Sequence, residues 1–171
     1  IFPSPKGPSL DLGVSYEYVQ DAIYNKGINP IEADIVVERA IEHMQKNKNI
    51  SLMLVALNKA QAELIEQKYK TRIVNEYIQE CFEYEEKWKS TVEPFEVKNL
   101  ETVQGDERDS VIISTVYGKE KDSEVVMQRF GPISGQNGHR RLNVLYTRAK
   151  KNVRVISSLR PNDIRVNSGS T

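Results

Sequence analysis

Two groups of residues could do chemistry. The first is Gln104-Gly105-Asp106-Glu107-Arg108-Asp109, a polar string set between two apolar segments. Gly105 permits a sharp turn or a close approach of backbone to a ligand. The carboxylates beside it can accept hydrogen bonds from hydroxyl groups. A plain polar turn reads the same way. The second group is basic: His139, Arg140, Arg141, Arg148, Lys150, Lys151 and Arg154. On a helix, Arg141 and Arg148 would share a face, being two turns apart. Guanidinium donors match phosphate oxygens, although solvated surface charge has the same appearance.

Other chemistry is missing. No G-x-x-x-x-G-K-[ST] loop occurs: Gly118-Lys119 runs into Glu120. No apolar strand ends in an acidic pair suited to magnesium, so the chain is not expected to hydrolyse a nucleoside triphosphate unaided. Ser110, Asp109 and His139 are not brought together by the linear sequence, and no catalytic triad is expected. Cys81, the one cysteine, sits among glutamates that raise a thiol pKa, the reverse of what a nucleophile needs. It cannot form an internal disulfide, which fits a reducing, cytoplasmic compartment. His43 and His139 are too far apart in sequence for a compact metal motif, and no metal ligands are expected here.

With 24 basic and 24 acidic residues in 171, the formal net charge is zero. That argues against a protein that coats nucleic acid over its whole surface, not against a local patch. No apolar run approaches the ~20 residues of a membrane span. Ile1-Phe2-Pro3-Ser4-Pro5 lacks the basic segment and apolar core of a signal peptide. The chain opens on Ile1, and we read it as a fragment or domain of a longer protein.

The elements that must position these groups follow from periodicity. Residues 1–13 are rich in Pro and Gly and read as irregular. Val14–Val19 alternates as a short strand. Asn29, Pro30 and Glu32 suit the N-cap, N1 and N3 positions of a helix, with Glu32 reaching back to the cap amide. That helix should fade at Asn47–Asn49. Ile50–Leu57 is a continuous apolar run, as in a strand buried on both faces of a parallel sheet. A helix follows from Lys59, and a third helical segment spans 73–89. Strands are expected over Phe95–Asn99, Val111–Val116 and Val153–Ser157, a loop over 117–138, and a helix over Arg140–Lys150. Alternating strands and helices indicate an α/β fold with a mostly parallel sheet flanked by helices.

At the two chemical segments a resemblance appears. "VKNLETVQGDERDSVIIST" (97–115) and "GHRRLNVLYTRAKKNVRVISS" (138–158) resemble motifs V and VI of superfamily I helicases. "LMLVALNKAQAELIE" (52–66) resembles motif IV, and "NPIEADIVV" (29–37) resembles the segment that opens their second motor domain. The branch is that of the nonsense-mediated-decay helicases, and within it the chain is most similar to bacterial multidomain proteins with an AAA-type helicase core. The likeness covers residues 1–160, with 161–171 left as a polar tail or linker.

The resemblance implies a RecA-like P-loop NTPase domain: the second motor domain, without a phosphate loop. It implies ATP with Mg, the magnesium ligands lying on a first RecA-like domain of the same polypeptide. It implies Arg148 as the finger that meets the γ-phosphate, and nucleotide contacts from Gln104, Gly105, Glu107, Arg141 and Gln61. Single-stranded nucleic acid would meet Asn58, Lys59, Ser114 and Thr115, and Tyr117 could stack on a base or fill the core. Asn143 is expected in a structural network. Relatives often continue into a nuclease-like domain, an analogy only. The chain departs from the pattern at Ala62, where the nonsense-mediated-decay relatives place an arginine after the motif IV glutamine, and at Leu145-Tyr146 in place of a small-then-aliphatic pair. The Ala62 departure keeps a second reading open, a degenerate scaffold that binds nucleic acid or a protein without ATP turnover; an unrelated α/β enzyme is a third.

Overall fold

The computed structural model describes residues 13–123 and 125–164. Strand β1 (Gly13–Tyr18) leads to helix α1 (Pro30–Lys46), β2 (Leu52–Ala56), α2 (Lys59–Asn75), α3 (Gln79–Lys89), β3 (Glu96–Asn99), β4 (Arg108–Ser114), α4 (Gly138–Tyr146) and β5 (Ala149–Ser157). Short 3-10 turns occupy Gly131–Ile133 and Pro161–Asp163. The strands form one five-stranded sheet in the order β1-β5-β4-β2-β3, and every neighbouring pair is parallel. The expected α/β class with a parallel sheet flanked by helices is therefore what folds.

The apolar run explains the centre. All five residues of β2 are buried, because helices cover one face and loop residues with α4 cover the other. On the first face Val36, Val37, Ala40 and Met44 of α1 pack with Ile65 and Tyr69 of α2 and with Cys81 and Tyr84 of α3. On the second, Met53, Val55, Val111, Ile113 and Val155 meet Leu145 and Tyr117. Each of the Val, Leu, Ile and Met side chains among them contributes roughly 1.5–3 kcal/mol through its burial.

Several boundaries differ from the sequence-based expectation. The third helix begins at Gln79, not 73, because α2 runs on to Asn75 and the chain turns at Tyr77, whose φ is +48°. Strands β4 and β5 start at Arg108 and Ala149, ahead of their apolar runs. Their first residues pair across the ladder, Arg108 with Ala149 and Ser110 with Asn152, so backbone hydrogen bonding extends the strands where hydrophobicity gives no signal. For the same reason α4 stops at Tyr146 instead of reaching Lys150. Strand β4 ends at Ser114, short of Val116. The Asn29 side chain does cap α1, accepting from the Glu32 N–H at 3.2 Å. Glu32, however, does not reach back to the cap amide; that N–H donates to Gln61 Oε1 at 2.8 Å. The irregular opening expected over 1–13 lies outside the described residues except for Gly13, and so does the tail from 165 onward.

Candidate functional site

Because all strands run the same way, they begin on one edge of the sheet and end on the other. The sequence-predicted site residues sort themselves between these two edges.

At the beginning edge lie Gln104, Gly105 and Glu107, which precede β4. Gly105 has φ +93°, a left-handed turn that favours glycine, and nothing stands within 4 Å of where a Cβ would be. Gln104 and Glu107 are exposed. Arg148 closes the same edge: the Arg108 N–H donates to the Arg148 carbonyl at 3.0 Å, tying the glycine loop to the residue that precedes β5. The Arg148 guanidinium rests on the end of α4, with Nε donating to the Val144 carbonyl at 3.0 Å and a second nitrogen 3.4 Å from Thr147 Oγ1.

Arg141 is not on a shared helical face with Arg148. It stands near the start of α4, donating to the Pro132 carbonyl at 3.2 Å, whereas Arg148 lies past the C-cap Thr147 because β5 has taken over the chain. Asn143 is exposed on the same helix. Two lysines of the basic cluster are held by carboxylates. Lys151 pairs with Asp109 at 3.0 Å and Lys150 with Glu93. Burial works against the Glu93 carboxylate, but Lys150 and the Ser51 hydroxyl hold it below the usual range.

Arg108 anchors this edge, and sequence reading passed over it. Its side chain is 1% exposed. Nε donates to the Pro94 carbonyl at 2.8 Å, one terminal nitrogen to the Glu107 carbonyl at 2.8 Å, and the other to Glu96 at 2.8 Å. A buried arginine with three acceptors fixes the Glu107 carbonyl against the Pro94–Glu96 segment. The available signal was its place at the head of an apolar strand.

The finishing edge holds Asn58, Lys59, Ser114, Thr115 and Gln61. Asn58 caps α2, accepting from the Gln61 N–H at 2.8 Å, while its amide donates to the Gly27 carbonyl at 2.9 Å. Lys59 is exposed and 3.6 Å from Glu63. Thr115 is half-buried, 2.7 Å from the Ser157 hydroxyl. Ser114 and Gln61 are wholly buried. Ser114 donates to Glu32 at 2.6 Å, and Gln61 Nε2 donates to the Asn29 carbonyl at 3.0 Å and to Ser114 at 3.2 Å. Gln61 therefore does not join the other candidate nucleotide contacts. Tyr117 packs between Tyr24 and Phe130, with ring centroids 5.7 and 5.6 Å away, and is buried.

The centre of this edge is Glu32, also passed over because its position reads as a cap. Both carboxylate oxygens are engaged: one accepts from Ser114 Oγ and from the Val116 N–H at 2.6 Å each, the other from the Ser158 N–H at 3.1 Å and Ser158 Oγ at 3.4 Å. Burial pushes its pKa up to about 7 against those four donors. Among the described residues no cluster of three or more His, Cys, Asp or Glu could hold a metal ion, and no helix is long and apolar enough to cross a membrane.

Comparison with known proteins adds the following. Residues 4–160 match the AAA domain family. The chain is 36% identical over 158 residues to the uncharacterised ATP-dependent helicase MG140 of Mycoplasma genitalium, covering 90% of this chain and 13% of that protein. It is 36% identical over 156 residues to the MG140 homologue of Mycoplasma pneumoniae, covering 85% of this chain and 12% of that one. The chain thus spans about an eighth of the length of these curated relatives. Among solved structures it is similar to the C-terminal domain of a possible DNA helicase from Lactobacillus plantarum, at 18% identity and a TM-score of 0.47, covering 91% of this chain and 80% of that one.

Proposed function

Since this chain belongs to the AAA domain family, we propose that it is the second, RecA-like motor domain of an ATP-dependent helicase or translocase of superfamily I, from the nonsense-mediated-decay-like branch. It supplies one wall of an ATP site whose other wall, with the phosphate loop and the magnesium ligands, belongs to a first RecA-like domain of the same polypeptide. The observation that carries the reading is the bond between the Arg108 N–H and the Arg148 carbonyl, which holds the glycine turn and the candidate finger on one edge.

The residues present suit a nucleotide. Gly105 leaves open space above its backbone, Glu107 offers a carboxylate to ribose hydroxyls, and Gln104 offers an amide. Arg148 holds neutral acceptors, Val144 O and Thr147 Oγ1. A phosphate oxygen makes a charge-assisted bond about twice as strong as a neutral one, so the guanidinium can transfer to it. Fixed there, it stabilises charge as it develops, an effect worth ~10³–10⁵ in rate in such enzymes. Arg141 lies near the start of α4 and pairs with phosphate or with a carboxylate across the domain gap.

At the opposite edge, Asn58, Lys59 and Thr115 meet the backbone of single-stranded nucleic acid; such contacts position a strand without reading its sequence. Ser114 and Gln61 serve that edge from inside, since their polar atoms are already engaged. The reading goes with a cytoplasmic setting, in which Cys81 stays a free thiol. A downstream nuclease-like domain is implied by analogy alone.

The test is nucleic-acid-stimulated ATP hydrolysis by the full-length protein with Arg148→Ala and Arg148→Lys. Both should lower turnover by at least about 10³, with nucleotide affinity moved far less. Turnover within tenfold of the parent would remove Arg148 from the finger role. A second reading, a scaffold that binds single strands without hydrolysis, draws on Gln61 and Ala62, both buried and neither open to a phosphate. Strand binding by a parent protein with no measurable ATPase would favour it.

A further inference from the structure

Val116 has φ +72°, and the Tyr117 N–H donates to the Thr115 carbonyl at 2.8 Å across it. This is a γ-turn of the positive-φ kind, rare and strained. For a β-branched residue it is a genuine outlier. Such a conformation costs on the order of 1–3 kcal/mol and persists only where the surroundings impose it. What imposes it is the start of α1. Glu32 accepts the Val116 N–H at 2.6 Å, and Asn29 Nδ2 donates to the Val116 carbonyl at 3.2 Å. Both polar groups of the strained residue are therefore gripped by side chains three positions apart on one helix. The same two side chains hold the end of β5: Glu32 through the Ser158 N–H, and Asn29 through Ser158 Oγ at 2.9 Å. Gly118 must pass so close that a Cβ there would lie 2.4 Å from Ser158 Oγ.

A hairpin or a relaxed loop could have left β4 without strain. The bend instead halts the strand at Ser114 and turns Thr115 out, half-exposed, beside Ser157 at the mouth of the edge. No ion pair of Glu32 exists among the described residues, so its carboxylate is committed to two backbone N–H groups, of Val116 and Ser158, and two hydroxyls, of Ser114 and Ser158.

We propose that Glu32, with Asn29, is a positioning residue for single-stranded nucleic acid: it holds the strained turn at Val116 so that the Thr115 hydroxyl faces the phosphates of the strand. This rests on the proposed role of the finishing edge.

The experiment uses the full-length protein and a fluorescein-labelled oligothymidylate, read by anisotropy, with binding of a fluorescent ATP analogue measured in parallel. Glu32→Gln keeps the size but turns a donor toward Ser158, and it should weaken strand binding about tenfold while nucleotide affinity stays within about twofold. Adding Val116→Gly, for which positive φ costs little, should restore strand binding to within about threefold of the parent. Ser158→Ala, a smaller change that loosens Asn29, should weaken it about threefold and serves if Glu32→Gln does not fold. Unchanged strand binding in both single variants, loss of strand and nucleotide binding in step, or no rescue by Val116→Gly would each overturn the inference while leaving the motor reading intact. A parent protein that does not bind the strand at all would overturn both.

Discussion

The Glu32 carboxyl makes stability depend on pH in a direction opposite to that of most carboxylates. In the folded protein burial raises its pKa from the usual 4.5 to about 7. Between those values the folded state holds a proton that the unfolded chain has released. Stability therefore falls as pH rises through this interval. The contribution is fully present below pH 4.5, is lost through pH 7, and levels off above about pH 8. At 1.36 kcal/mol per pH unit, the separation corresponds to about 3 kcal/mol. Glu32→Gln cannot titrate, so comparing it with the parent isolates this group. His43, which burial holds below its ordinary value, titrates in both proteins and cancels. The measurement is urea unfolding of both proteins at pH 4.5, 6, 7 and 8. Relative to the variant, the parent should lose about 3 kcal/mol from the lowest pH to the highest. Parallel curves would mean that Glu32 keeps an ordinary pKa. A parent that gained stability with pH would mean that the four donors outweigh burial.

Three further outcomes follow from single sites. Arg108→Leu leaves the Pro94 and Glu107 carbonyls without their donor, while Glu96 keeps Lys98 at 3.2 Å; it should cost about 2–4 kcal/mol in chemical denaturation, and a loss under about 1 kcal/mol would show that solvent replaces the guanidinium. Cys81 is fully buried, and burial first, then the Glu85 and Glu80 charges, push its thiol up to about 11. Iodoacetamide at neutral pH should leave it unmodified by mass spectrometry until urea unfolds the chain, and ready labelling of the native protein would contradict this. Gly118→Ala should cost about 1–3 kcal/mol by overpacking against Ser158; a melting temperature equal to that of the parent would show that Ser158 can move aside.

How much of this was legible depended on where hydrophobicity carries the signal. The buried run Leu52–Ala56 and the periodic face of α1 were plain, because burial on two faces or on one leaves a distinct spacing. The polar starts of β4 and β5 were not. Arg108 and Ala149 pair with one another across about forty residues, and Asp109, Lys150 and Lys151 are carried in the register shift between that pair and Ser110–Asn152, which local pattern does not report. At the site, the helicase resemblance brought out Gln104, Gly105, Glu107, Arg141, Gln61 and Arg148; the sheet gathers Gln104, Gly105, Glu107 and Arg148 on one edge and leaves Gln61 buried at the other. It did not bring out Glu32 or Arg108. A charged residue in sequence is expected at the surface; that these two are buried follows only from the acceptors and donors that tertiary packing delivers to them.

The two edges also constrain how a motor built on this domain could work. Strand β4 joins them directly, from Arg108 beside Arg148 to Ser114 beneath Thr115, a span of roughly 20 Å at ~3.3 Å per residue. Apart from Asp109 it is buried along its length, and from Ser110 to Ser114 it is paired on both sides. Such a strand has no second packing arrangement to switch into at small cost. A change at the Arg148 edge therefore does not travel along β4 as a local rearrangement. In the proposed motor it would reach the other edge by the sheet moving as a unit as Arg148 is drawn toward phosphate, carrying Thr115 and its clamp with it. Rigid-body motion of this kind requires that the contact points not relax during the move. That requirement gives a physical reason for a strained turn held from both of its polar groups where a slack loop would have been easier to fold.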